Sequence, residues 1–142
     1  MSSEHNHLNL ISRMAVMFAL AMAVCVAFSG CGMKSKGEKK IAQAVTQVKL
    51  LDRALDQYKL EVGTYPSDLQ GLVTNVDQSE KWDGPYLKPP KVPLDPWGNE
   101  YRYSFPGEHN RSENGFGGFD LWSYGADGTE GGEGENADIA NW

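Results

Sequence analysis

Between Lys39 and Gly63 the apolar residues Ile41, Val45, Val48, Leu51, Leu55, Tyr58 and Val62 recur at steps of three and four. That spacing keeps one stripe on one face of a helix. Gln43, Thr46, Lys49, Arg53 and Gln57 fall opposite, as a solvated face requires, with Arg53 and Asp56 spaced to pair. Leu50 and Leu60 lie off the stripe and are expected to meet a loop or a partner. Gly63 suits the left-handed position that ends a helix, and Pro66 follows three residues on. A helix of about 25 residues spans roughly 37 Å. One stripe of that length has to be covered, so the rest of the chain is expected to pack on it.

Beyond the helix the pattern shortens. Thr64 to Ser67 reads as a turn, with Ser67 as N-cap of a short helix over Asp68–Val73. Trp82 to Pro93 contains four prolines, which rules out regular helix and predicts an extended loop pinned by Trp82 and Tyr86. Asp95 to Asn99 reads as a turn with Gly98 free to take a positive φ. Glu100–Phe105 and Phe119–Tyr124 alternate as strands. A glycine-rich run from Gly125 to Asn136 then precedes a partly apolar end, Ile139 to Trp142. One long helix followed by a small antiparallel sheet makes the fold class α+β.

The pattern at the start of the chain is different. Met14 to Ser29 is a run of 16 nearly all-apolar residues preceded by Arg13, short for a membrane span and suited to the core of a signal peptide. Phe28-Ser29-Gly30-Cys31 resembles a bacterial lipobox, where the cysteine thiol is acylated before cleavage. An ordinary signal peptide with a chance cysteine, or an uncleaved anchor helix, are the other readings. On the first reading residues 1–30 are a lipoprotein signal peptide, Cys31 is the lipid attachment site, residues 31–40 are a flexible tether, and residues 41–142 form one domain. Four lysines in the tether either face anionic headgroups or only solubilise it. Cys25 leaves with the leader, so no internal disulfide is expected. The net charge of −6 disfavours nucleic acid.

Catalytic constellations are missing from the sequence. His109 is the only histidine beyond the leader, and it reads as a solvated turn residue. No nucleophile elbow, metalloprotease pair or phosphate loop occurs, so neither an enzyme nor a small-molecule substrate is expected. Acids are distributed more tellingly. From Ser112 to Trp142 there are seven (Glu113, Asp120, Asp127, Glu130, Glu133, Glu135 and Asp138) and no Lys or Arg. Calcium takes oxygens from carboxylates, amides and backbone carbonyls on a loop that can wrap it. The segments Gly125–Gly128 and Asn136–Asp138 supply such groups, without matching the EF-hand spacing. The alternative is a disordered acidic tail, against which Ile139 and Trp142 stand as apolar residues placed to be tucked in.

Three stretches carry a family resemblance: Ala54–Leu72 (ALDQYKLEVGTYPSDLQGL), Trp82–Asn110 with DPWGNEYRY, and Phe119–Trp142 with SYGADGTEGGEGENADI. They resemble the major pseudopilin of type II secretion, the protein G family. That resemblance implies a pilin-like fold, a long N-terminal helix packed on a small antiparallel sheet with a calcium-binding C-terminal loop. It implies calcium held by the side chains of Asp127 and Asp138, with Asn136 in a position where an acid is usual, and by the Tyr124 carbonyl. It implies work through contacts with other pseudopilins or envelope components in the export of folded proteins. The N-terminus departs from the family: no acid interrupts Met14 to Gly30, and the charged Gly32–Lys40 separates that run from the helix. The expected protein is therefore a lipid-anchored pseudopilin-like component at the periplasmic face of a bacterial membrane, the outer one favoured because Gly32, not Asp, follows the cysteine. The competing reading is a stand-alone calcium-stabilised envelope module reusing the fold, with Trp82, Trp97 and Trp122 either as contact residues or as core.

Overall fold

The computed structural model describes residues 35–111 and 117–142. Cys31, the apolar run before it and Glu113 lie outside the described residues, and with them the expected signal peptide and lipid site. The helix, α1, spans Lys36–Val62. It starts earlier than the stripe suggests, inside the segment expected to be tether, because Ser35 and Glu38 form a capping box. The Glu38 N–H donates to Ser35 Oγ (3.1 Å) and the Ser35 N–H to Glu38 Oε2 (2.8 Å). Two of the otherwise orphaned donors of the first turn are thus satisfied. At the other end Gly63 takes φ 98° and its N–H donates to the Lys59 carbonyl (2.8 Å), as its position predicted.

The buried face of α1 is Ala44, Val48, Leu51, Ala54, Leu55 and Tyr58. Two alanines therefore carry part of the buried stripe, whereas Val45, expected on it, is 37 % exposed. Leu50 and Leu60 are exposed, in keeping with their place off the stripe. The expected Arg53–Asp56 pair does not form: Asp56 instead accepts the Tyr65 hydroxyl (3.0 Å), and Lys59 lies over the Tyr65 ring.

Strands β1 (Arg102–Ser104), β2 (Asp120–Ser123) and β3 (Ile139–Ala140) form one antiparallel sheet in that order. Tyr103 lies opposite Leu121, and Trp122 opposite Ala140. The two expected strands are present in shortened form, and the third comes from the end of the chain. Period-two alternation turns Leu121 and Ser123 toward the helix and Trp122 away from it. Leu121 meets Leu51, Leu55, Leu69, Leu72, Leu87, Tyr101 and Phe119 in one apolar core. Each such side chain contributes roughly 1.5–3 kcal/mol by leaving water.

Between helix and sheet the chain is pinned by polar contacts. A 3-10 turn at Leu69–Leu72 is capped by Asp68, one residue beyond the expected Ser67, whose hydroxyl instead donates to Asp77 Oδ1 (2.7 Å). Asp77 also accepts the Tyr58 hydroxyl (2.9 Å). The bond from Ser67, followed by that from Tyr58, holds the Asp77 carboxyl below its ordinary value against the effect of burial. The proline-rich loop is held by its aromatics, as expected: Trp82 Nε1 donates to the Gly71 carbonyl (2.8 Å) and the Tyr86 hydroxyl to Glu61 (2.7 Å).

Candidate metal centre in the C-terminal loop

The loop that follows β2 is built from its base upward. Asp95, 4 % exposed, opens the turn to Asn99. Its Oδ1 accepts the N–H groups of Trp97 (3.0 Å) and Asn99 (2.8 Å), and its Oδ2 the hydroxyl of Ser123 (2.6 Å). Ser123 Oγ in turn accepts the Gly125 N–H (3.1 Å), and Asn99 Nδ2 donates to the Gly125 carbonyl (2.9 Å). The turn, with Gly98 at φ 99°, thereby fixes the point where β2 ends and the glycine-rich loop begins.

Gly125 sits at φ 67° with the return limb of the loop against it. A Cβ added there would lie 2.6 Å from the Glu135 carbonyl oxygen and 2.9 Å from that of Ala137. Only glycine admits those two carbonyls so close. The Ala126 N–H donates to Glu135 O (2.8 Å), closing the loop at its neck. Above the neck, Asp127 Oδ1 accepts the Thr129 N–H (3.2 Å) and Asp138 Oδ2 the Gly131 N–H (2.9 Å). Both carboxylates are exposed, as are Asn136, Glu130 and Glu133.

The donors of this loop are thus all oxygens: two carboxylates, an amide, and backbone carbonyls gathered by a glycine that a side chain would push apart. Hard oxygen donors in a flexible loop suit calcium, and not a zinc site of His and Cys. Among the described residues no group of three or more His, Cys, Asp or Glu side chains converges. A cation here depends on carbonyls to complete two carboxylates. The chemistry of the donor set therefore fits calcium.

The sequence reading singled out the turn but not its part in this loop. Asp95, Asn99 and Ser123 are remote in sequence and meet only through the sheet. It also missed Glu135, whose Oε2 accepts from Trp97 Nε1 (3.1 Å) and whose side chain covers the buried Gly37 at the start of α1. Trp97 is thereby a link between turn, loop and helix, while Trp82 packs at the edge of the core. At the end of the chain Asn141 continues the pairing of β3, donating from its N–H to Leu121 O (3.1 Å) and accepting the Leu121 N–H at Oδ1 (3.0 Å).

A long helix, a three-stranded antiparallel sheet laid on it and a glycine-rich loop closed at its neck define a pilin-like protein. The crystal structure of the major pseudopilin from the type 2 secretion system of enterohaemorrhagic Escherichia coli superposes with a TM-score of 0.56 at 30 % identity, covering 75 % of this chain and 90 % of that one. In sequence, the type II secretion system core protein G of Pseudomonas aeruginosa is 44 % identical over 118 residues, 78 % of this chain and 76 % of that protein. The corresponding protein of Vibrio cholerae is 42 % identical over 117 residues, 78 % and 73 % of the two chains. The family model of type II secretion system (T2SS) protein G matches residues 32–142. The chain belongs to the type II secretion system protein G family of pseudopilins, structural components of that machinery in the cell envelope. Among the described residues no helix is long and apolar enough to cross a membrane.

Proposed function

We propose that this chain serves type II secretion as a lipid-anchored pseudopilin whose C-terminal loop binds one calcium ion. Its work is done through contacts with other pseudopilins or envelope components during export of folded proteins. Family membership supports the secretion role. The observation that supports the calcium assignment is a loop closed at its neck by Gly125 and Ala126 and furnished, between Asp127 and Asp138, with oxygen donors only. Asp127, Asp138, Asn136 and the Tyr124 carbonyl are the ligands assigned. A bound calcium ion supplies positive charge that offsets repulsion among the carboxylates of a loop with almost no apolar residues between Gly125 and Ala137. The chain's own part is to present the oxygens: Asp95 and Asn99 fix the base, and β3 fixes the return limb.

Thermal melting in calcium and in chelator tests this reading. Binding to the native state alone stabilises by about 2.7 kcal/mol at a hundredfold excess over Kd. Chelation is therefore expected to lower Tm by several degrees and to open the loop to protease. Asp127→Ala and Asp138→Ala should melt as the chelated protein does and ignore added calcium, while Glu130→Ala and Glu133→Ala keep the response. Identical melting of the wild type in both buffers would remove the metal. The anchor rests on the lipobox-like Phe28–Cys31, which favours lipidation at Cys31 and attachment at the periplasmic face of the membrane, the outer one by the Gly32 rule. Intact mass of the mature protein decides it: added diacylglycerol mass that Cys31→Ala abolishes supports the anchor, and identical unlipidated masses overturn it.

A further inference from the structure

On the outer face of the sheet lies a cavity that shares Asp138 and Tyr124 with the ligands assigned above and differs from the loop in its aromatic walls. It has a volume of about 480 Å³ and opens between β2, the loop that carries His109 and the end of the chain. Its aromatic walls are Trp122, Tyr124, Trp142 and His109. Trp122 stands edge-on to Tyr124 (5.9 Å, 73°) and to Trp142 (5.8 Å, 66°), while His109 stacks flat on Trp142 (4.1 Å, 4°). Trp142 is nevertheless 50 % exposed, so a large apolar ring is held in place and left open on one side.

The frame under these rings is rigid. Asp120, 3 % exposed, accepts the backbone N–H groups of Glu108 (2.7 Å), His109 (2.9 Å) and Asn110 (3.0 Å), and its Oδ2 lies 3.2 Å from His109 Nδ1. That fixes the imidazole against Trp142 and leaves Asp120 fully engaged. The remaining acids of the cavity, Glu108, Glu130 and Asp138, have no Lys or Arg within ion-pair distance among the described residues. Among the described residues no Lys or Arg lines the cavity. Even with Asp138 committed to the loop, Glu108 and Glu130 keep the rim negative.

Aromatic faces carry negative potential, and a desolvated cation over them is attracted, most strongly over Trp. Aromatic walls under an acidic rim therefore select a flat, weakly hydrated cation, which is the chemistry of a guanidinium. The same face already holds one: Arg102, cross-strand from Trp122, lies over the Tyr124 ring at 5.9 Å. We infer that this cavity is a docking site for an arginine side chain on an extended basic segment of a partner protein. The ring faces hold the guanidinium plane, and Glu108 and Glu130 take its N–H donors.

The test uses the calcium-saturated protein, with the indole N–H resonances of Trp82, Trp97, Trp122 and Trp142 followed by NMR. The probes are the peptide acetyl-Gly-Arg-Gly-Arg-Gly-amide, its citrulline counterpart, and free argininamide. Citrulline keeps the shape of arginine and removes the charge. The arginine peptide should shift Trp122 and Trp142 saturably, leave Trp82 and Trp97 in place, and bind more tightly than argininamide. The double variant Glu108→Gln/Glu130→Gln, which touches no packing, should weaken it about five- to tenfold. No saturable shift, an equal response to the citrulline peptide, or an unchanged affinity in the double variant would each overturn the site. Equal binding of peptide and argininamide would make it a small-cation site and overturn the docking assignment.

Discussion

Replacing Asp95 separates the charge of this residue from its geometry. Its carboxylate is buried and accepts three hydrogen bonds, two backbone N–H groups on Oδ1 and the Ser123 hydroxyl on Oδ2. Asp95→Ala removes every acceptor and strands those donors at a buried position. Each stranded donor costs about 1–3 kcal/mol, and the hydroxyl can rotate elsewhere, so the expected loss is about 3–5 kcal/mol. At about 4 °C per kcal/mol for a domain of this size, Tm should fall by more than about 10 °C. Asp95→Asn is expected to behave differently. Its amide oxygen can keep both backbone bonds of the turn, and its NH₂ group meets Ser123 Oγ, which can turn from donor to acceptor. Only the charge-assisted part of the network is then lost, about 1–2 kcal/mol. Urea unfolding of the two variants alongside wild type gives both numbers. Equal losses for Ala and Asn, or a loss under about 1 kcal/mol for Ala, would refute the view that this carboxylate organises the base of the loop.

Other substitutions follow from the same geometry. Leu55→Asp places a charge in the centre of the core and should cost several kcal/mol, whereas Gln57→Asp on the exposed face should be nearly silent; equal melting temperatures would refute the assignment of faces. Gly125→Ala drives a methyl group into the Glu135 and Ala137 carbonyls and should destabilise by more than the about 1–2 kcal/mol of a left-handed backbone alone, while Gly131→Ala, at φ 92° with open space around it, should show only that smaller loss in the same unfolding assay. Asp120 gives the acid limb of stability its shape. Burial opposes its charge, but bonds from the backbone of His109, Asn110 and Glu108 and from the His109 ring outweigh that and hold its carboxyl below the ordinary value. Its contribution is therefore full above about pH 4, the unfolded range, and lost as pH falls through the lower folded value. Asp120→Asn should flatten the fall in urea midpoint between about pH 4 and pH 2, and an unchanged acid limb would count against the network.

The sequence made the helix, its C-terminal glycine and the two longer strands legible, because each is written as local periodicity or turn chemistry. The boundary at Ser35 was also written there, as Ser-x-x-Glu, but Lys and Gly around it read as linker and hid the box. Ala44 and Ala54 were invisible to a periodicity that counts large apolar residues, although both are buried. β3 is two residues long, too short for any period, and forms because Asn141 extends its pairing to Leu121. The base of the candidate site was the least legible part. Asp95 to Ser123 is a contact across 28 positions, and nothing in either residue's neighbourhood names the other.

One contact described above joins two ends of the domain. Glu135, on the loop, covers Gly37 in the first turn of α1 and is itself held by Trp97. A chain segment pulling on Ser35 therefore pulls on a turn whose outer wall is the C-terminal loop. Those contacts link the first turn of α1 to the loop's neck, and through Gly125 and Ser123 to β2. Whatever stiffens the loop thus also stiffens the first turn of α1, so the two ends of the domain share one mechanical fate.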